Sequence, residues 1–207
     1  MFGNKKPKNT ILPILTLKNT VFFPNTVVPL LVGRTKSLEL IDDVIKSGTV
    51  LGVVAQKDAT NEDPTKEDLY KVGTLAKIIK FSKNSEGHYN VIIEGLERFE
   101  VTEFRDEEPY FTAEITTIPD VDYDPMTRQE IPILFETLRE TAYDICFSLP
   151  ELPTSIRGFI ETVTDPGTLA DIIASHMGET TTDKQDILET YDVVERMLRA
   201  LEILGRK

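Results

Sequence analysis

Two short segments and two histidines of this chain have residue types that could bind a phosphate or a metal ion. Gly33-Arg-Thr-Lys-Ser37 ends like a phosphate-binding loop, in which glycine amides cradle the phosphates ahead of a lysine and a hydroxyl residue. However, Thr35 stands before Lys36 where that loop needs glycine, and Leu30 lies near the position of its first glycine. The pattern favours a strand that leads into a capped helix.

Asp120-Val-Asp-Tyr-Asp124 alternates carboxylates as a calcium loop does. Pro125 occupies the position that requires glycine, and Ile131 replaces the final bidentate glutamate, so we reject a calcium site there. His88 and His176 have no second ligand at zinc spacing, and no serine is flanked as a nucleophile would be. We therefore expect no catalytic residue, no metal and no cofactor in this chain.

Composition limits the function further. The chain has 207 residues, of which 40% are hydrophobic and 28% charged, as in an ordinary soluble globular protein. A net charge of -12 repels phosphates, which argues against nucleic acid as a partner. The single cysteine, Cys146, lies in an apolar pattern and predicts a buried thiol in a reducing, cytoplasmic compartment. No apolar run approaches the ~20 residues of a membrane-spanning helix, so we expect no membrane partner.

The first half of the chain reads mostly with period two, which predicts strands. One helix interrupts it, with Thr35 as the predicted N-cap and Gly48 as its end, and Asn84-Ser-Glu-Gly87 predicts a hairpin turn. Many short strands with one helix favour a partly closed barrel. The predicted strands are Ile11 to Leu17, Val27 to Val32, Val50 to Ala55, Val72 to Phe81, Tyr89 to Ile93, Phe99 to Phe104 and Tyr110 to Ile118.

The second half has helical periodicity and predicts four helices. Asp165 followed by Pro166 predicts the start of the third helix, and Thr182-Asp-Lys-Gln185 predicts a capping box for the fourth. The fourth helix has a heptad seam from Ile187 that continues toward the end of the chain. The predicted organisation is a flexible tail (1–10), a β-rich subdomain (11–119), a linker (120–126) and a helical subdomain with a truncated final helix (127–207).

The apolar run from Leu12 to Arg34 is broken by three prolines, each of which must lie at a strand start, an edge or a bulge. This run resembles the opening of the N-terminal, substrate-binding domain of Lon, the ATP-dependent serine protease also called endopeptidase La. The elements that match are Leu12 to Leu17, Asn19, Phe23-Pro24, Pro29 to Arg34, Val91 to Phe99, Asp165 to His176 and Lys184 to Leu198, in the family's order over nearly the whole chain.

The resemblance implies an α+β fold: a PUA-like β-rich pseudo-barrel with one helix, followed by a four-helix bundle that ends in a long helix. It implies a non-catalytic region that recognises unfolded or degron-bearing proteins and supports subunit assembly. The Ser-Lys catalytic pair and the ATP and Mg site of such a protein would belong to other modules. The parent protein would be a homohexamer, and this fragment a monomer or weak dimer.

Substrate contacts are expected in the first half of the chain, where aromatic side chains and two cations come close in sequence. Alternation along Val21, Phe22 and Phe23 also means that at least one of these side chains faces a core. A free-standing adaptor or small-ligand module is the alternative function, and an unfinished last helix argues against it. The predicted substrate-binding residues are Phe22, Phe23, Pro29, Leu30, Arg34 and Lys36.

Overall fold

The computed structural model of the protein describes residues 9–121, 124 and 126–207. Residues 1–8 of the predicted tail lie outside this part, as do Asp122, Tyr123 and Pro125 of the predicted linker and of the rejected calcium loop. The chain divides into two compact units, Met1–Pro119 and Asp120–Lys207. Each unit has its own secondary structure class, one β-rich and one helical.

Six strands and one α-helix form the described part of the first unit. Burial alternates along several of these strands, so that one face of each packs into a core, whereas the strand at 51–55 is buried throughout. The prediction of a β-rich first half with one helix is confirmed. The elements are β1 (Asn9–Leu17), β2 (Val27–Val32), α1 (Thr35–Ser47), β3 (Leu51–Ala55), β4 (Val72–Lys83), β5 (Tyr89–Phe104) and β6 (Thr112–Ile118).

The strands form one mixed sheet in the order β2-β5-β4-β3-β1-β6, and β5 also pairs with β6. This last pairing joins β5, β4, β3, β1 and β6 into a closed ring. β1 and β3 are parallel, whereas the other pairs are antiparallel. Among the described strands, β2 pairs only with β5 and therefore lies outside the ring as an edge strand.

β5 corrects the sequence prediction, which split it into separate strands at 89–93 and 99–104. Gly95 lies in the middle of one continuous strand, and its N–H donates to the Thr26 carbonyl at 2.8 Å. A Cβ on Gly95 would lie 2.3 Å from the carbonyl oxygen of Phe23. The glycine is therefore needed for the close approach of a neighbouring backbone and not for a turn.

Helix α1 packs against the core of the barrel through buried Leu40, Ile41 and Val44. It ends as predicted at Gly48, whose φ of 65° lies in the left-handed region. The predicted N-cap is wrong: Arg34 is the N-cap residue, Thr35 is already helical, and no side chain caps the first turn. Arginine has only donors, so it cannot accept the N–H groups that a threonine cap would have bound.

The described part of the second unit contains five helices, not the predicted four. Asp165 caps α4 as predicted, its carboxylate accepting the Thr168 N–H at 2.7 Å. The predicted capping box at 182–185 is wrong, because α5 begins at Thr181, two residues earlier than that box requires, and Thr180 caps it. The helices are α2 (Glu130–Ser148), α3 (Thr154–Thr162), α4 (Pro166–Met177), α5 (Thr181–Leu188) and α6 (Val193–Leu204).

The extra helix arises because the predicted long fourth helix is broken between Leu188 and Val193. Asp192 has extended backbone angles, and its carboxylate accepts the Glu195 N–H at 3.0 Å as the N-cap of α6. Heptad spacing continues across the break, so the periodicity alone did not reveal it. Helix α6 ends at Leu204.

A buried arginine binds several segments of the second unit together. The Arg196 side chain is 0% exposed, and its Nε donates to the Thr190 carbonyl at 2.8 Å. Its Nη2 donates to Asp120 Oδ1 at 2.9 Å, and its Nη1 lies 3.7 Å from Oδ2 of buried Asp171 on α4. Arg196 thus connects α6, α4, the α5–α6 break and the first residue of the unit.

Candidate functional site

The two aromatic residues predicted to contact a substrate lie in the core of the first unit. Phe22 and Phe23 are buried, and the Phe23 side chain is 0% exposed. Their carbonyls are also occupied, because Thr74 Oγ1 donates to the Phe22 carbonyl and Thr26 Oγ1 to the Phe23 carbonyl, both at 2.7 Å. This burial gives both rings a packing role.

Arg34 is anchored to β1 and not extended into solvent. Its Nη2 donates to the carbonyl oxygen of Thr16 at 2.9 Å and to Thr16 Oγ1 at 3.0 Å. Its Nη1 donates to Gln56 Oε1 at 2.7 Å. Burial lowers the pKa of Arg34, and nearby Glu62 opposes this shift. The Arg34 side chain therefore links the segment that follows β2 to the main chain of β1.

Lys36 is also partnered within the unit. Its Nζ lies 2.8 Å from Glu108 Oε1 and 5.4 Å from the centre of the Phe111 ring. The hydrogen bond with Glu108 is the main cause that raises the pKa of Lys36. Arg34 and Lys36 line one cavity of about 400 Å³ at the first turn of α1, but each ion already has its own partner.

Pro29 and Leu30 lie on β2, where they point to opposite faces. Val27, Pro29 and Leu31 form the exposed set, with exposures of 57% for Val27 and 68% for Leu31. Apolar side chains of this exposure, aligned on one edge strand, are a typical feature of interaction surfaces. Sequence analysis included Pro29 but missed Val27 and Leu31.

The hydrogen bonds between β2 and β5 show which main-chain groups of β2 face its open edge. The Gly95 N–H donates to the Thr26 carbonyl, so the hydrogen-bonding groups of Thr26 point toward β5. Because these groups alternate along a strand, those of Val27, Pro29 and Leu31 point away from β5. Proline at an outward position costs the ladder nothing, since its missing N–H would not have faced β5.

The open edge of β2 faces β1 across a gap that we call the β1–β2 slit. Its walls are the segments 15–20 and 30–34, and it encloses a cavity of about 450 Å³. Registers explain the gap: β6 pairs with residues 9–13 of β1 and with residues 98–104 of β5, whereas β2 pairs with residues 89–94 of β5. β6 therefore fills the wall between β5 and β1 at one end, and β2 leaves a slit at the other.

Charges around the β1–β2 slit differ from the acidic average of the chain. Lys18, Arg34 and His88 line it, and no carboxylate does so among the described residues. Two acids outside this lining pair with two of its basic residues, Glu62 with Lys18 and Glu86 with His88 Nδ1 at 3.6 Å. The slit is thus a nearly neutral, largely apolar channel on a protein of net charge -12.

The described residues contain no group of three or more His, Cys, Asp or Glu side chains that could hold a metal ion. Cys146 is buried, and burial raises the pKa of its thiol. Among the helices that the structure describes, none has the length and apolar character needed to cross a bilayer. The β1–β2 slit combines an open strand edge with a largely apolar lining.

Comparisons with known proteins agree on one family. The family model described as the ATP-dependent protease La (LON) substrate-binding domain matches residues 11–206. Lon protease of Anaeromyxobacter dehalogenans is 41% identical over 204 residues, which cover 99% of this chain and 24% of that protein. Lon protease 2 of Myxococcus xanthus gives the same identity and the same coverage. The chain thus spans about a quarter of the length of these relatives.

Solved structures share the fold at low sequence identity. The N-terminal domain of Mycobacterium avium complex Lon protease has a TM-score of 0.75 at 19% identity, covering 95% of this chain and 98% of that one. A Lon N-terminal domain protein from Xanthomonas campestris has a TM-score of 0.66 at 18% identity, covering 93% and 98%. At these identities the likeness establishes the fold alone.

Proposed function

The chain belongs to the family of substrate-binding domains of the ATP-dependent protease Lon, and on this premise we propose that it holds extended segments of unfolded or degron-bearing proteins. The free edge of β2, with its outward Val27 and Leu31 side chains, is the observation that carries the proposal. Unfolded chains differ in sequence but all present the same main-chain groups. An open strand edge binds those groups whatever the sequence.

The predicted substrate-binding set changes accordingly. Pro29 and Leu30 stay in the proposed site because they belong to the edge strand, and Arg34 stays as part of the slit wall. Phe22 and Phe23 support the site from the core, since their side chains are buried. Lys36 lines the neighbouring cavity and keeps only an indirect role through α1.

For the whole protein we propose an ATP-dependent serine endopeptidase in the cytoplasm, in which this chain is the non-catalytic part. ATP, Mg and the Ser-Lys pair would belong to other modules, and the chain would support assembly of a homohexamer. The closed ring of strands is compatible with the PUA-like label that the resemblance implies. We expect the fragment itself to be a monomer or weak dimer, and a stable hexamer in sedimentation at micromolar concentration would contradict this.

A small-ligand module is the second candidate, because the cavity of about 400 Å³ at α1 has the size of a ligand site. Ile14, Leu40 and Phe111 give it apolar walls, and Tyr110 and Lys36 give it polar groups. A ligand-dependent rise in melting temperature that Leu40→Ala removes would favour this function over peptide binding.

The direct test is fluorescence anisotropy of a labelled, permanently unfolded protein titrated with the chain. Leu31→Ser removes an exposed apolar contact, and we expect about tenfold weaker binding, equivalent to about 1.4 kcal/mol. Ile11→Ser is the matched control, because Ile11 is 60% exposed on β1 where that strand pairs with β6. The proposal fails if no saturable binding occurs up to high micromolar concentration. The assignment of the binding site to β2 is refuted if Leu31→Ser and Ile11→Ser weaken binding equally.

A further inference from the structure

The β1–β2 slit has one open end and one closed end. β2 and β1 run antiparallel, as the pairings through β5 and β6 require. Thr20 and Leu30 flank the open end, while the Arg34 side chain reaches Thr16 at the other end and closes it. A chain that enters along β2 from the open end therefore meets the Arg34 guanidinium.

Both walls direct main-chain groups into this channel. The Ile14 N–H donates to the Phe111 carbonyl at 2.8 Å, so the groups of Ile14, and by alternation those of Thr16 and Lys18, face away from β3. The Thr16 carbonyl confirms this direction, because it accepts from Arg34. On the opposite wall, the groups of Leu31 point outward from β2. An extended segment that enters the slit would therefore meet hydrogen-bonding groups on both walls.

At the closed end of the slit, the Arg34 side chain occupies the position that a further residue of such a segment would need. Its hydrogen bond to the Thr16 carbonyl occupies the acceptor, and its side chain fills the gap between the walls. The segment can pair along the slit only up to this point. A main chain that ends there fits without a bend, whereas a chain that continues must leave the slit.

Charge decides which terminus fits the closed end. Arg34 is cationic, and it is the N-cap residue of α1, the end of a helix at which negative charge is favoured. Glu62 lies nearby, but it is exposed and paired with Lys18. A terminal ammonium would be repelled at this end, whereas a terminal carboxylate would be attracted.

We propose that the β1–β2 slit binds polypeptides by their C-terminus, as a strand parallel to β2 whose terminal carboxylate lies against Arg34. The proposal rests on the peptide-binding function above and adds a requirement for a free chain end. Apolar side chains at alternate positions of the bound segment would contact the outward face of β2 at Val27 and Leu31.

The test compares three labelled peptides of one sequence, alternating valine and threonine over eight residues, titrated with the full chain. The first has a free C-terminal carboxylate, the second a C-terminal amide, and the third continues for four glycine and serine residues. We expect the amide to bind about tenfold more weakly than the acid, because a charge-assisted hydrogen bond is lost. The extended peptide should bind at least as weakly as the amide.

Variants test whether Arg34 causes the preference for a free C-terminal carboxylate. Arg34→Gln should reduce the preference for acid over amide to less than about twofold, since the charge is lost while hydrogen-bonding capacity stays. Arg105→Gln is the matched control, because Arg105 is an exposed arginine of the same unit that pairs with Glu114 at 2.5 Å. It should leave the preference unchanged. Leu31→Ser should weaken binding of the acid peptide.

Equal binding of the three peptides would overturn the C-terminus proposal, and so would a preference that survives Arg34→Gln. The acid and amide comparison needs no variant, so it remains decisive if Arg34→Gln folds poorly. If the acid peptide does not bind but an unfolded protein does, the C-terminus proposal is overturned and the proposed function stands. If neither binds, both are overturned.

Discussion

Replacement of Arg196 by methionine tests the buried ion cluster of the helical unit. The side chain is 0% exposed, and removing its charge leaves Asp171, which is itself buried, without its cationic neighbour. Breaking a buried pair by removing one partner costs about 3–5 kcal/mol. The same substitution also removes the hydrogen bonds to Thr190 and Asp120. We therefore expect the free energy of unfolding to decrease by an amount within that range.

Urea unfolding followed by circular dichroism at the helical band measures this loss, because the helices of α2–α6 dominate that signal. Arg199→Met is the matched control three residues along the same helix. Arg199 is about one third exposed and pairs with Asp186 and Glu195 at the surface, so its loss should cost less than about 1 kcal/mol.

A double variant separates charge from packing. Arg196→Met with Asp171→Leu also removes the buried carboxylate that faced the arginine, so part of the stability should return, with a coupling of about 0.5–3 kcal/mol. The reasoning is refuted if Arg196→Met alone costs no more than Arg199→Met. It is also refuted if the added Asp171→Leu change only increases the loss.

Other substitutions test the β-rich unit and helix α3. Phe23→Ala should lower the free energy of unfolding by about 3–5 kcal/mol, because the ring is fully buried; a normal melting temperature with weakened peptide binding would contradict the packing role. Gly95→Ala should destabilise the protein by about 1–3 kcal/mol, because the new methyl group would collide with the Phe23 carbonyl oxygen. Gly158→Ala should stabilise it by about 0.5–1 kcal/mol, because the methyl group would have open space on α3 and alanine favours a helix. A urea titration that ranks the two variants in the opposite order would refute this. The hydrogen bond to Asp43 raises the pKa of Tyr110 to about 12 from 10.0, so the folded state holds the phenolic proton more tightly and stability should fall as pH rises from about 10 to 12. Tyr110→Phe should flatten this part of the stability curve, and an unchanged slope would be evidence against the contact.

Element types were predictable where local patterns are strong. A run of apolar β-formers predicted β2, Gly48 predicted the end of α1, and Asp165 with Pro166 predicted the start of α4. Each of these depends on residues within one or two turns of each other. Pro29 even carried the information that β2 is an edge strand, because a central strand would have needed its N–H.

The candidate site was only partly predictable. Arg34 was chosen as one of two cations that come close in sequence, and in the fold it bonds to Thr16 and Gln56 and forms the end wall of a slit. Val27 and Leu31 were missed because nothing in the sequence distinguishes the outward face of β2 from its inward face. Face assignment requires knowledge of which strand lies next to β2 and in which register.

The sequence by itself determined the family, the division into a β-rich and a helical half, and most helix and strand types. Only the tertiary structure decided that β5 is continuous through Gly95, that the last helical stretch breaks before Asp192, and that β2 leaves a slit beside β1. The physical reason is the range of the interactions involved. Periodicity and caps act between near neighbours, whereas the course of β5 and the slit depend on contacts between residues far apart in the chain, such as Gly95 with Phe23 and Arg34 with Thr16. The break before Asp192 has a local cap, but heptad spacing that continues across it concealed the break.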